Sequence, residues 1–424
     1  MMILTDEEKA MAAGDSGEAV AAAMETLMEY GRILGAERLV LTDNVAGANI
    51  FGKRHSKVLG STDPKSLFSR FSLNSDKPLD VPMARAHSCQ LIGPRDSKHY
   101  RLQGLSDADH AEASASEQYL ASLGVSILNT CTPYQVGNNP RLGEHCAWME
   151  SSAVVYINSV LGARTNTEGR ESSAAAMLTG RIPYAGLHIT ENRRATDLLV
   201  VDRPIETTSD WNVLGYYLGG VLGDSVPALS SSFPLSPDPV SLKQFGAAAA
   251  SSGDVELYHI PGITAEAHTL EEAFGGRQPR QTVHFGEKEY TETVDALNAT
   301  ATGTDIDFVM IGCPHASLNQ LRDVAALLEG RTISPDVALW VFTASALRDV
   351  AERSGWLETI ERSGAKVLSD TCPAIGQFLP PGTRRFATDS AKQAHYLPAI
   401  AGVEGRFGST AMCIEAAVKG RWSA

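Results

Sequence analysis

Residues 307 to 368 constrain the fold most. Short apolar runs at 307–311, 337–343 and 366–368 alternate with amphipathic stretches of helical period at 317–328, 344–354 and 356–363. Strand–helix–strand units of this kind build parallel sheet, so the expected class is α/β with several parallel-sheet subdomains. Loops leaving the carboxyl ends of parallel strands form the usual ligand side. Two cysteines fall on such ends, each followed by proline: Cys313 in DFVMIGCPHAS and Cys372 in AKVLSDTCPAI.

Upstream, residues 5–35 read as two helices. Thr5 followed by Asp6, Glu7 and Glu8 makes an N-cap with an acidic first turn. A strand at 37–42 leads into a Gly-containing loop, 43–52, and SLFSRFSLN is the next expected strand. A helix at 106–123 and a strand at 125–129 deliver a third cysteine, Cys131, into the loop CTPY. Residues 143–160 read as a loop continuing into a helix whose first amides face an anion. LLVVD is a strand, 210–223 a Gly-rich helix, 230–239 a linker, 255–260 a strand, and TAMCIEAAV a core helix holding Cys413. Three regions result: 1–125, 126–300 and 301–424.

The net charge of −14 argues against a nucleic-acid backbone as partner. No stretch of eighteen uncharged apolar residues suggests a membrane span, and the acidic start is not a secretory signal. Six cysteines in 424 residues are not a disulfide framework, which fits a reducing, cytoplasmic setting.

Between Cys131 and Asn192, polar residues are interleaved with Gly and Pro without strand or helix period. This stretch, with motifs elsewhere, resembles the aconitase X family, the large subunit of a branch of the aconitase superfamily. The carrying motifs are LTDEEKAM, CTPY, GEHCAWMESSAVVYINSVLGARTN, LTGRIPYAGLH, GCPHAS, DTCPA and SAKQAHY, spread over nearly the whole chain. Taken singly, each cysteine reads better as a small buried hydrophobe than as a ligand. The resemblance implies instead that Cys131, Cys313 and Cys372 hold an iron–sulfur cluster, [4Fe–4S] or [2Fe–2S], or a mononuclear iron in a depleted state, inside a central cleft of an aconitase-like large subunit. An iron without a protein ligand then acts as Lewis acid in a dehydration. Cys89 lies in a divergent region, and Cys146 packs near the site without binding iron.

The resemblance also gives Glu150 and Ser151 a place beside the substrate. His145 and His188 are candidate acid/base groups by their titration range, although histidines at tight turns often cap carbonyls. Lys392, near Ser390 and His395, is a candidate anion contact. Asn158, Ser159, Arg164, Thr165 and Asn166 suit a carboxylate or phosphate cradle, with a structural ion pair as the plain alternative for Arg164. The stretch NVAGANIFG departs from the His-x-Ser-Gly of the phosphomevalonate branch and puts Gly47, Ala48 and Asn49 at the contact points. Asn74 and Ser75 replace an Asn-Pro pair.

The implied reaction is elimination of water from a small hydroxy acid, cis-3-hydroxy-L-proline before mevalonate 5-phosphate. A non-catalytic iron–sulfur metabolite sensor is the reading from another class, and an α/β zinc or thiol enzyme with Cys131 as nucleophile is the reading without the resemblance. The chain ends soon after CIEAAVKGRW, so a separate small subunit is expected to supply the swivelling domain and the catalytic serine.

Overall fold

The computed structural model describes residues 2–48, 53–84, 86–88 and 95–423. Four sheets lie among them. The largest has five strands in the order Lys366–Ser369, Ala338–Thr343, Phe308–Ala316, Arg385–Thr388, Glu404–Phe407, all parallel. Its middle strand is buried at every position, as befits parallel sheet covered on both faces. The crossovers pack apolar helix faces (Leu321, Val324, Leu347, Ile360) against Val309, Ile311 and Val341.

A second parallel sheet runs Val125–Ser126, Ala86–Ser88, Asn44–Ala48, Cys146–Trp148. Helices Glu18–Ile33 and Arg170–Thr179 cover it through Ala23, Met24, Leu27, Ala174 and Met177. A third, Pro227–Ser231, Asp197–Val201, Thr282–Phe285, packs under Thr208–Leu222 and Pro239–Gly253, where Trp211, Leu218 and Phe245 fill the core. Leu39–Leu41 and Arg181–Pro183 form a small antiparallel pair. The fold is thus α/β with several parallel sheets, and Thr5 makes its capping box with Glu8.

Several local expectations are corrected. Residues 44–48, expected as loop, are a fully buried strand. Gly47 serves close packing there, since a Cβ would stand 2.6 Å from Ser173 Cβ and 2.7 Å from Met149 Cγ. Most of SLFSRFSLN lies in the helix Pro64–Ser72, because Asp63 caps it and Pro64 starts it, overriding the strand-like alternation. Residues 255–260 form no strand; only His259 bridges, to Ala228. The expected linker holds over 232–238, an irregular loop between Pro227–Ser231 and Pro239–Gly253, a buried helix capped by Asp238. Cys146–Trp148 is a strand, and Ser151–Tyr156 runs six residues before a π turn, Ile157–Leu161. Glu150 is its N-cap residue, and the Glu150 side chain makes no cap hydrogen bond. No described helix is long and apolar enough to cross a membrane.

Candidate functional site

Residues leaving the carboxyl ends of the four- and five-stranded sheets meet at one place. Cys131 follows Val125–Ser126 through a left-handed turn at Asn129, φ 46°. Cys313 stands on the middle strand where its register with Ala338–Thr343 breaks. Gly312, φ 95°, makes that break possible: a Cβ would lie 2.2 Å from Phe342 O of the neighbouring strand. Cys372 follows Lys366–Ser369 and starts the short helix Pro373–Gly376.

His315 ties the three cysteine loops together. Its backbone N–H donates to Cys131 Sγ at 3.2 Å. Its ring Nδ1 lies 2.8 Å from Thr130 Oγ1 and its Nε2 3.0 Å from Thr371 O. A carbonyl only accepts, so Nε2 carries a proton. Burial pulls the pKa of the ring to about 4, so at neutral pH the imidazole is neutral and Nδ1 accepts from the Thr130 hydroxyl. Lys243, fully buried, donates to His315 O at 2.8 Å and to Gln320 Oε1 at 2.6 Å, bracing the same loop. Burial lowers its pKa to about 8.

Gln393 Nε2 lies 3.0 Å from Cys313 Sγ and 3.9 Å from Cys372 Sγ. Burial pushes all three thiols up, Cys372 to about 12. Unligated they are neutral thiols, and a bound cation would supply the charge that makes them thiolates. Among the described residues no three His, Cys, Asp or Glu side chains converge on a single ion. Three cysteine sulfurs, two of them within 3.9 Å of one amide nitrogen, are donors of the kind an iron–sulfur cluster takes.

Beside the cysteines, Glu150 Oε1 accepts from Lys392 Nζ at 2.6 Å and from Ser152 Oγ at 3.0 Å. Burial would raise the Glu150 pKa, but Lys392 and Ser152 bring it below its ordinary value. Burial would likewise lower Lys392, yet Glu150, then Cys313, lift it well above. Both shifts describe one charged, buried pair. Lys392 rides on the first turn of Ala391–Ala401, capped by Ser390, whose Oγ accepts from Gln393 N. Ser151 is half-buried at the first position of its own short helix.

The other candidates are placed elsewhere or engaged internally. Asn158 donates to Thr165 O and Glu256 O and accepts from Thr165 N. Ser159 Oγ accepts from Tyr258 N, and Thr165 Oγ1 from Trp148 N. Asn166 holds Ala185 O and Leu187 N. Arg164, expected either to grip an anion or to form an ion pair, donates to His188 O and Thr190 Oγ1 and lines a cavity of about 420 Å³ with Arg193 and Arg194, a cavity with no cysteine in its wall. His145 Nδ1 meets His188 Nδ1 at 3.0 Å, and burial, with His145 next, drives His188 to about 3. One imidazole donates and the other accepts, so neither needs charge. His395 Nδ1 pairs with Tyr216 Oη. Gly47 and Ala48 are buried in their strand. Asn74 and Ser75 edge a groove against Glu18–Ile33 that contains no cysteine. Asn49 and Cys89 lie outside the described residues. Cys146 is a buried strand residue and Cys413 a buried helix residue.

His315, Gln393 and Lys243 were not among the residues singled out from sequence. The first two sit inside motifs that were, two residues after Cys313 and one after Lys392. Lys243 gave no signal, because a lysine in an unassigned helix reads as exposed.

Family models for the first, second and third domains of aconitase X match residues 1–191, 195–295 and 306–419. The chain belongs to the aconitase X family. The phosphomevalonate dehydratase large subunit of Methanocaldococcus jannaschii is 34% identical over 425 residues, covering 99% of this chain and 100% of its own. The cis-3-hydroxy-L-proline dehydratase of Pseudomonas aeruginosa is 35% identical over 418 residues, 98% of this chain and 70% of its own. The crystal structure of Thermococcus kodakaraensis aconitase X in its holo form superposes with a TM-score of 0.80 at 30% identity, covering 98% of this chain and 100% of that one. Both of these named enzymes are dehydratases.

Proposed function

We propose that this chain is the large subunit of an iron–sulfur hydro-lyase that removes water from a small hydroxy acid, with cis-3-hydroxy-L-proline as substrate. The observation that carries the reading is the charged Glu150–Lys392 pair set beside three cysteines at the carboxyl ends of two parallel sheets. Cys131, Cys313 and Cys372 would hold the cluster, which when bound supplies a Lewis acid for the departing hydroxide. Glu150 stays ionised at neutral pH and accepts a hydrogen bond from the substrate hydroxyl. Lys392 holds that carboxylate and offers its remaining N–H bonds to the substrate carboxylate. Ser151 contributes a hydroxyl beside them. By the family resemblance, a separate small subunit closes the site and supplies the serine base. The "large subunit" in the names of archaeal relatives supports a two-chain enzyme.

The engagement of two buried lysines near the cysteines supports one substrate over the other. Lys243 is bonded to carbonyl groups and Gln320, and Lys392 is bonded to Glu150. Neither is left whole for a phosphate, which favours the compact imino acid. The coverage of relatives named for phosphomevalonate, which extends over their whole length, favours mevalonate 5-phosphate as the second reading.

The test has two steps. Iron and acid-labile sulfide are measured in the anaerobically purified chain and in Cys131→Ser, Cys313→Ser, Cys372→Ser and Cys146→Ser. Loss in the first three and retention in the last is expected; a parent without iron after reconstitution refutes the reading. Turnover of cis-3-hydroxy-L-proline against mevalonate 5-phosphate, with the small subunit added, then assigns the substrate.

A further inference from the structure

Lys392 and Gln393 are neighbours on one helical turn, yet they face different partners. Lys392 goes to Glu150, and Gln393 goes to two cysteine sulfurs. We propose that Gln393 is a positioning residue for the metal centre: its amide donates to both Cys313 and Cys372, spaces these two ligands and raises the reduction potential of the cluster they hold. This rests on the iron–sulfur reading above and deepens it.

Four observations carry the inference. The amide nitrogen is 3.0 Å from Cys313 Sγ and 3.9 Å from Cys372 Sγ, so one group spans two ligands that are 59 residues apart in sequence. The side chain is fixed, being 1% exposed and anchored by its own backbone N–H to the capping Ser390 Oγ. Its carbonyl Oε1 is buried and has no partner among the described residues. Turning the amide over would aim that oxygen at two sulfurs and repel them as thiolates. An orphaned acceptor is what remains when the amide is oriented for sulfur, and an apolar side chain would have spared the site that cost. Finally, Cys131 Sγ has its own donor in the His315 backbone N–H, so each of the three sulfurs is met by an N–H group. Donors to ligand sulfur stabilise the added electron of the reduced state and thereby set the potential.

The test compares the anaerobically reconstituted parent with Gln393→Met, which keeps length and removes both donors. Iron and sulfide per chain, midpoint potential, the rate of cluster loss to EDTA and the unfolding temperature of the metal-free chain are measured. The variant is expected to load a cluster of lower potential that EDTA strips several-fold faster, with the metal-free unfolding temperature unchanged. Equal potential and equal loss rate in a loaded variant would overturn the proposal. A parent devoid of iron and sulfide would instead refute the cluster reading, a separate outcome. Should Gln393→Met fail to fold, the parent labelled with ¹⁵N at glutamine side-chain amides is reduced and examined by pulsed electron paramagnetic resonance. A ¹⁵N coupling to the cluster spin is expected, and its absence overturns the proposal.

Discussion

Glu168 carries a carboxyl that the fold has buried. It is 4% exposed, and its backbone N–H is spent on Trp148 O. Burial first, then the nearby Glu256 carboxylate, pushes its pKa from 4.5 to about 7. Ser172 opposes the rise only partly, since its hydroxyl is shared with Gly169. Tyr30 faces both carboxyls and is itself pushed up by burial and by them. Between the ordinary carboxyl pKa and about 7 the unfolded chain has lost this proton while the folded chain keeps it. The unfolded state then binds fewer protons, so stability falls as pH rises through that window and levels off above it. At about 1.4 kcal/mol per tenfold change, the loss from this one group is about 3 kcal/mol. Glu168→Gln is neutral throughout and removes the term. Urea unfolding of parent and variant at pH 5, 6, 7 and 8 reads it directly, because the difference between the two cancels the other titrating groups. The variant should lie nearest the parent at pH 5, gain through pH 6 and 7, and gain little more at pH 8. A difference that stays constant across the four pH values would refute the reasoning.

Breaking the Glu150–Lys392 pair with Lys392→Met leaves a buried carboxylate unpaired and should cost about 3–5 kcal/mol in the metal-free chain, most of it recovered by adding Glu150→Gln; a single variant as stable as the parent in denaturant titration would contradict the buried ion pair. Gly312→Ala forces a side chain into a left-handed φ and against Phe342 O, so it should cost at least about 2 kcal/mol and release iron from the loaded chain, as seen by unfolding temperature and iron content together.

The parts of this molecule that were legible in the sequence are those whose causes are local. Apolar runs of strand length, followed by helical period, announced three adjacent strands of the five-stranded sheet and put Cys313 and Cys372 at its carboxyl ends, while Arg385–Thr388 and Glu404–Phe407 went unread. Asp63 and Pro64 were equally local, but the apolar residues of SLFSRFSLN fit strand alternation and helical spacing alike, and a cap decides such a tie. The long polar run was legible as unusual and not as to purpose. Asn158, Ser159, Thr165 and Asn166 satisfy buried backbone groups of distant segments such as Glu256 and Tyr258, and a buried polar residue looks the same in sequence whether its partner is a carbonyl or a substrate.

The first turn of Ala391–Ala401 shows why that ambiguity bears on function. Helical rise sets Lys392 and Gln393 about 1.5 Å apart along the axis and turns them through about 100°, so neighbours in sequence must address different walls of a cleft. The cap at Ser390 fixes the phase of that rotation, because its hydroxyl accepts from Gln393 N. Shifting the cap by one residue would swing Lys392 away from Glu150 and Gln393 away from the sulfurs at once. The ion pair and the sulfur contacts are therefore coupled through the backbone of a single turn, and Ser390→Ala should weaken both together, reducing cluster retention and the stability of the Glu150–Lys392 pair in the same variant. A loss of one without the other would show that tertiary packing, not the cap, sets the phase.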